Sequence, residues 1–454
     1  MADAQTHQHH TVVIGLGRSG WAIAEHLARR GESFIMADTR ETPPGIEAFR
    51  AAYPDVAIHC GSLKALDLTG AARVIASPGV DPRTPGLEAV RDRLVGEIAL
   101  FAEARAADPN PAPLIAVTGS NAKSTVTTLI GAMAQACGVE AAVGGNLGTP
   151  ALTLLNTRSD AACFILELSS FQLETTPALR ADIALYLNLS EDHLDRHEGV
   201  AGYAFAKQRI FSGARVAISN RDDPATRPAA VARPAQTLSF GSGAPVHPDW
   251  GVAEHRGELW LCQGTQPVMP GRAVRMPGQH NRLNALAALA AGTAAGWPLA
   301  PMRQVLEAFP GLAHRAQLVA EIDGVRWIND SKGTNVGATL AAIDGLGATL
   351  EGRVILLAGG VGKGADFSPL APAMARYGRA ALLFGRDRAA LEAALSASVA
   401  TRTVDTLADA MQHAMNVARP GDCVLLSPAC ASLDQFVNFE ARGEAFCAWL
   451  EQRQ

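Results

Sequence analysis

The stretch Leu114-Ile115-Ala116-Val117-Thr118-Gly119-Ser120-Asn121-Ala122-Lys123-Ser124-Thr125 passes from four apolar residues through a polar turn into Lys-Ser-Thr. A short apolar run closed by turn residues reads as a buried strand, and the chain from Lys123 onward reads as a helix. A loop in that position aims its backbone N–H groups, and the positive end of the helix dipole, at an anion. Gly119, Ser120, Asn121 and Ala122 form the cradle. Lys123 can reach the β- and γ-phosphates of a nucleotide, and the Ser124 or Thr125 hydroxyl can take Mg²⁺. The gap before Lys123 is shorter than in the full Walker pattern, so the loop is a variant of that device.

On both sides of this stretch, short aliphatic strands alternate with helical patterns, which implies parallel sheets covered by helices. The 454 residues correspond to about three domains at roughly 150 residues each. The expected architecture is α/β: a Rossmann-like domain over 1–105, a central P-loop ATPase-like parallel sheet over 106–310, and a second Rossmann-like domain over 311–454. Ala104–Pro113, rich in Pro, Ala and Asp, reads as the first linker. Residues 237–276, with short alternating runs, read as a small antiparallel appendage.

The net charge is -5 and there is no Lys/Arg-rich run, which speaks against nucleic acid or an anionic membrane as a partner. Seven scattered cysteines without a CxxC pair read as reduced thiols in a cytosol. The opening MADAQTHQHH reads as a polar tail rather than a signal peptide, and no run of about 20 apolar residues could span a membrane.

Several other groups could carry chemistry. Gly15-Leu16-Gly17-Arg18-Ser19-Gly20 follows a strand and opens a helix, and Asp38 ends the next strand where an acid would hold a ribose. Taken alone, that pair describes a nicotinamide oxidoreductase. Glu167 ends the strand CFILEL, where a carboxylate can hold a cation beside a phosphate loop. Asn188–His197 packs acids and two histidines, His193 and His197, into one loop past another strand. By spacing alone, Lys207 on an apparent helix Tyr203–Phe211 is a surface lysine. Further polar groups sit at strand ends or helix starts: Gln279–Asn284, His314-Arg315, Asn329–Asn335, Gly359–Lys363 and Ser427–Ser432. Each of these alone could be a cap or a turn.

Together these residues resemble the Mur ligase family over the chain from about residue 11. The stretches that carry the resemblance are VVIGLG, ASPG, TGSNAKSTVTTL, GGNLG, LELSSFQLE, EDHLDRH, GQHNRLNALAALA, GLAHR, RWINDSKGTNVGAT, ADFSPL and LSPACASLDQFVNFE. The resemblance implies that the first domain binds a uridine nucleotide rather than NAD. Gly17, Arg18, Ser19, Thr39, Arg40, Ser77, Pro78 and Gly79 would line that site, and Asn146 would touch the sugar-peptide. ATP would lie on Gly119–Thr125, with Asn281 and Asn284 beside the adenine. His314, Arg315, Asp330 and Lys332 would reach ATP from the third domain. Ser124 and Glu167 would hold one Mg²⁺. His193 and Lys207 would hold a second, with Lys207 carbamylated, and with Lys123 they form the implied catalytic set. Thr334, Lys363, Ser432 and Phe439 match positions that hold D-glutamate.

The implied reaction is ATP-dependent ligation of D-glutamate to UDP-N-acetylmuramoyl-L-alanine through an acyl phosphate. It would be carried out by a cytoplasmic monomer in peptidoglycan precursor synthesis, with no insertion into a membrane. Alternatives are a Mur or folylpolyglutamate-type ligase with another acceptor, or the nicotinamide oxidoreductase. The last leaves the second phosphate loop and the acid/His loop unexplained. One residue departs from the family pattern: Ala122 stands where a glycine is usual, a strained choice if φ is positive there.

Overall fold

The computed structural model describes residues 10–158, 160–276, 278–348 and 350–453; the polar tail ahead of His10 lies outside them. Among the described residues, twenty strands form three sheets.

The first sheet has the order β3-β2-β1-β4-β5, all parallel: β1 Thr11–Ile14, β2 Phe34–Asp38, β3 Ile58–Cys60, β4 Arg73–Ala76 and β5 Leu94–Gly96. β1 and β2 are buried along their whole length, as strands of a sheet covered on both faces must be. The chain order reverses on either side of β1, and loops from β1, β2 and β4 converge there, the crevice where such sheets bind ligands. The helix after β5 runs Glu97–Ala106, so the expected linker from Ala104 is shorter than its composition suggested.

The central sheet has the order β14-β13-β12-β11-β10-β9-β6-β8-β7. Its parallel part is β6 Leu114–Thr118, β7 Ala141–Gly145, β8 Cys163–Glu167, β9 Ile183–Tyr186, β10 Val216–Asn220 and β11 Gln236–Phe240. β12 Trp250–His255, β13 Glu258–Gln263 and β14 Gln266–Pro270 are antiparallel to one another. The small antiparallel appendage expected over 237–276 is present as β12 to β14, joined to the edge of the parallel sheet. β11 pairs in register with β10, and the Phe240–Trp250 pair carries the meander on as the edge of the same sheet. The helix Lys123–Ala136 packs against the Ala-rich helix Gln279–Ala294 over one face. Small side chains let those two helices approach closely.

The third sheet has the order β15-β16-β20-β17-β18-β19: β15 Gln317–Ile322, β16 Val325–Asn329, β17 Val354–Gly359, β18 Gly378–Phe384, β19 Ala400–Thr403 and β20 Cys423–Leu426. Only the β15–β16 hairpin is antiparallel. The expected helix Tyr203–Phe211 is an α-helix over Val200–Gln208 followed by a 3₁₀ turn over Arg209–Phe211.

Candidate active site

The phosphate loop between β6 and its helix is braced by the chain after β9. Ser120 N–H donates to the Asn188 carbonyl at 2.9 Å, Asn121 N–H to Asn188 Oδ1 at 2.8 Å, and Ser120 Oγ to the Ser190 carbonyl at 3.0 Å. Ala122, the residue preceding the helix, has φ 64° and ψ 0°, so the left-handed conformation is present without a glycine. Lys123 Nζ donates to the Gly119 carbonyl at 2.8 Å and the Ser120 carbonyl at 3.1 Å, and burial lowers its pKa. Ser124 Oγ accepts from Arg315 Nη2 at 2.7 Å, which brings the third domain directly onto the loop.

Glu167 at the end of β8 is 2% exposed. Its Oε1 accepts from Asn146 Nδ2 at 2.7 Å, while Oε2 is buried with no hydrogen-bond partner. A buried carboxylate oxygen without a donor is costly, and a cation there would satisfy it. No three His, Cys, Asp or Glu side chains converge as a metal cluster among the described residues. That fits Mg²⁺ in a nucleotide site, which uses one or two carboxylates and completes its shell with phosphate and water. Asn146, expected against the sugar-peptide, holds Glu167 through both its side chain and its backbone N–H.

Lys207 is not on the surface. It is 1% exposed, donates to the Gly119 carbonyl at 2.7 Å, and lies 4.6 Å over the Tyr203 ring. Burial, helped by nearby Lys123, drives its pKa well below the ordinary lysine value. Its hydrogen bonds run to the phosphate loop rather than to His193. His193 itself has φ 53° and sets its ring edge-on against Phe171, 4.8 Å between centroids. Burial lowers the His193 pKa and keeps the imidazole neutral.

Between the central and third domains lies a cavity of about 340 Å³, within the range of small-molecule sites. Ala122, Thr125, Asn281, Asn284, Arg315, Asp330 and Lys332 all line it. Burial raises the Asp330 pKa to about 6 and lowers that of Lys332 to about 8. Asp330 Oδ1 accepts from Ala316 N–H and Oδ2 from Ser427 Oγ, so this acid also fixes the His314–Ala316 loop. The His314 ring is directed away from the cavity, against Asn329 Nδ2 at 3.0 Å. Phe240 and Met276 supply apolar wall that no motif announced; an apolar residue next to a binding cavity looks like any core residue in sequence.

Thr334 and Lys363 face a smaller cleft with Asp192 and His193. Lys363 Nζ is 3.1 Å from Asp192 Oδ1, and Asn335 Nδ2 donates to Asp192 Oδ2 at 3.3 Å. Ser432 and Phe439 do not line that cleft. Ser432 is buried, its carbonyl taking the N–H groups of Gln435 and Phe436, and the Phe439 ring is covered by Lys332 Nζ at 4.0 Å.

In the first domain, Gly15 has φ 99°, and a Cβ on Gly20 would fall 2.0 Å from the Gly15 carbonyl, so both positions exclude side chains. Ser77 Oγ donates to that same carbonyl at 2.8 Å. Asp38 is not placed to hold a ribose. Its Oδ2 accepts from Leu16 N–H at 2.7 Å, and both its oxygens take Arg40. Burial pushes the Asp38 carboxyl up, but those bonds outweigh it and keep it ionised. Arg40, expected at the nucleotide, is thus engaged by Asp38, and Arg18 donates to the Gly148 carbonyl of the central domain. Gly17, Ser19, Thr39, Pro78 and Gly79 remain around the crevice at the ends of β1, β2 and β4.

Three models of the Mur ligase family match the chain: the MurD-like N-terminal domain over 9–98, the middle domain over 117–292, and the glutamate ligase domain over 314–430. The chain belongs to the Mur ligase family. It is 60% identical to the UDP-N-acetylmuramoylalanine--D-glutamate ligase of Chromohalobacter salexigens, over 97% of each chain. It is 50% identical to the protein of that name from Pseudomonas aeruginosa, over 98% of each. Among solved structures, the MurF ligase of Thermotoga maritima in complex with ADP superposes with TM-score 0.63 at 16% identity, over 98% of this chain and 99% of that one. At that identity the likeness is one of fold. No helix is long and apolar enough to cross a membrane among the described residues.

Proposed function

We infer that the protein joins D-glutamate to UDP-N-acetylmuramoyl-L-alanine with consumption of ATP, a step of peptidoglycan precursor synthesis. The observation that carries the reading is the placing of three strand-end sites on and against the central domain. The nucleotide crevice of the first sheet, the Lys123 loop and the Lys363 cleft each supply the groups that one of three substrates requires.

A free carboxylate is a poor acyl donor, so the γ-phosphoryl group of ATP must first be transferred to it, giving an acyl phosphate and ADP. The amine of D-glutamate then attacks the activated carbonyl and phosphate leaves. Phosphoryl transfer calls mostly for positioning and charge neutralisation. Lys123 lies beside the Gly119 and Ser120 carbonyls, one helix start away from where phosphates bind. Arg315 and Lys332 line the cavity beside the loop and supply two more cations there. Asn281 and Asn284, on the buried face of their helix, offer amides to the base. Ser124 and Glu167 would hold one Mg²⁺, and His193 with a carbamylated Lys207 a second. The ions would supply charge compensation for the phosphoryl oxygens. Thr334 and Lys363 offer a hydroxyl and an ammonium suited to an acceptor carboxylate.

The test is phosphate release from ATP with UDP-N-acetylmuramoyl-L-alanine across a panel of D- and L-amino acids. D-Glutamate alone is expected to drive turnover. Turnover with another amino acid, or with a folate in place of the UDP-sugar, would assign a sister activity. Hydride transfer to a nicotinamide cofactor would overturn the class.

A further inference from the structure

The EDHLDRH loop contains a residue to which the reaction above gives no role. Arg196 lies three residues past His193, and its side chain is 9% exposed. One nitrogen, Nη2, donates both to the Val80 carbonyl of the first domain at 3.0 Å and to Glu174 Oε2 of the central domain at 2.9 Å. The guanidinium carbon lies over the Phe171 ring, 4.7 Å from its centre, the same ring that takes the edge of His193. Val80 ends the turn that starts at Ser77, whose hydroxyl holds the Gly15 loop. An unbroken chain of contacts thus runs from the glycine loop of the first sheet, through Ser77 and Val80, to Arg196 and so to His193.

Arg196 also holds an unused donor. Its Nε is buried without a hydrogen-bond partner, and Asp81 Oδ1 stands 3.9 Å away. Buried donors are rarely left unpaired, so an orphan facing a carboxylate just out of reach marks a contact that a small shift completes. Asp81 is held from the other side by Arg83, which also reaches Glu198 at 3.4 Å. The turn 77–83 and the loop 192–198 are therefore laced together by two arginines, Arg83 and Arg196, and two carboxylates, Asp81 and Glu198.

We propose that Arg196 is a positioning residue for the ligation: it sets the register between the turn 77–81, which faces the nucleotide end of the UDP-linked substrate, and the His193 loop, where the carboxylate end of that substrate meets the phosphoryl group. This rests on the function inferred above. A long substrate anchored at one end delivers its other end correctly only if the two anchoring loops keep a fixed separation. A misplacement of about 1 Å can cost on the order of 10²-fold in rate. Arginine suits the task because its planar fork binds partners in set directions while its face stacks on an aromatic ring; a lysine offers a point charge without the fork.

The experiment compares wild type, Arg196→Gln, Arg196→Lys, Asp81→Asn and Glu174→Gln by steady-state kinetics with each substrate varied, and by calorimetric binding of UDP-N-acetylmuramoyl-L-alanine. For Arg196→Gln, kcat is expected to fall by about 10- to 100-fold. KM for ATP and the binding constant of the UDP-substrate should stay within about threefold. Arg196→Lys should recover part of kcat, and Asp81→Asn should lower it less, with little further loss when combined with Arg196→Gln. A merely structural role would lower the melting temperature and weaken all three substrates together, and that result overturns the proposal, as does unchanged kcat in both Arg196 variants. If Arg196→Gln does not fold, the Asp81→Asn and Glu174→Gln variants carry the test, and unchanged kcat in both rejects it. A wild type silent with this substrate but active with another falls on the function reading first and takes the proposal with it.

Discussion

Ala122 concentrates the tension in the phosphate loop at one residue. A left-handed conformation costs a non-glycine residue about 1–2 kcal/mol, yet φ is 64° here. Two effects offset part of this: alanine leaves the unfolded chain less entropy than glycine would, by about 0.4–1 kcal/mol, and its methyl packs against the core of the central domain. Ala122→Gly is therefore expected to raise stability by no more than roughly 1 kcal/mol while ATP binding is kept or tightened. Thermal unfolding with and without ATP measures both, and weaker ATP binding in the variant would mean that the methyl itself shapes the site. Lys207, which donates to the Gly119 carbonyl of the same loop, is the other residue whose chemistry depends on its surroundings. Burial lowers its pKa, which favours the neutral amine, the form that adds CO₂. A carbamate there would turn a cation into oxygen ligands for a hard metal. Lys207→Ala is expected to lose about 10²–10³ in turnover, with partial recovery in acetate. ¹³CO₂ NMR of the Mg²⁺-loaded enzyme should show a carbamate carbon that this variant lacks; a plain ammonium in the active enzyme would refute it.

At the level of elements, the edge of the central sheet has a single seam. β12 joins β11 only through the Phe240–Trp250 pair, and Arg221 bridges the seam by donating to Ser239 Oγ at 3.1 Å and the Trp250 carbonyl at 2.8 Å. Trp250 is fully buried and its indole N–H has no partner. Trp250→Ala should cost about 3–5 kcal/mol. Trp250→Phe should cost much less, within about 1.5 kcal/mol, because it keeps most of the ring and removes the orphan donor. Phe240 walls the cavity between the central and third domains, where ATP is proposed to bind, so a folded Trp250→Ala should also raise KM for ATP but not for the UDP-substrate. Denaturant titration and kinetics check the pair. The antiparallel appendage was legible because β12 to β14 alternate as half-exposed strands do, while the one pair that joins them to the parallel sheet leaves no periodic trace. Strands buried on both faces, such as β6, β8 and β17, were legible as aliphatic runs. β7, Ala-Ala-Val-Gly-Gly, and β19, Ala-Thr-Arg-Thr, were not, since neither carries such a run. The candidate site divides in the same way. Loops with chemistry at strand ends stood out, whereas Asp38, Asn146 and Arg196 take their roles from partners that only the fold brings near.

Across the whole molecule, polar contacts close the third domain on the central one at the phosphate loop and the His193 loop: Arg315 to Ser124 Oγ at 2.7 Å, Asn335 Nδ2 to Asn121 Oδ1 at 3.0 Å, and Lys363 to Asp192 at 3.1 Å. Polar contacts of this kind exchange readily with water or substrate, which suits a joint that must open between turnovers. Lys363 can therefore do two things, close the joint and hold the acceptor, and the two have different kinetic signatures. Its own loop is rigid: Lys363 has φ 54°, Gly362 N–H donates to Asp387 Oδ2 at 2.6 Å, and Val361 bridges to Ala431. Such a loop presents the ammonium at a fixed point of the cleft beside Thr334, as recognition of a carboxylate requires. Loss of a charge-assisted hydrogen bond costs about 1.5–3 kcal/mol. Lys363→Ala is accordingly expected to raise KM for D-glutamate by roughly 10- to 100-fold while KM for ATP moves little. Asp192→Asn removes the closing partner but leaves the ammonium in place. If closure were the main duty of Lys363, the two variants would look alike and both would weaken ATP and D-glutamate together. If recognition dominates, only Lys363→Ala separates the two constants, because a free ammonium in Asp192→Asn still meets the acceptor.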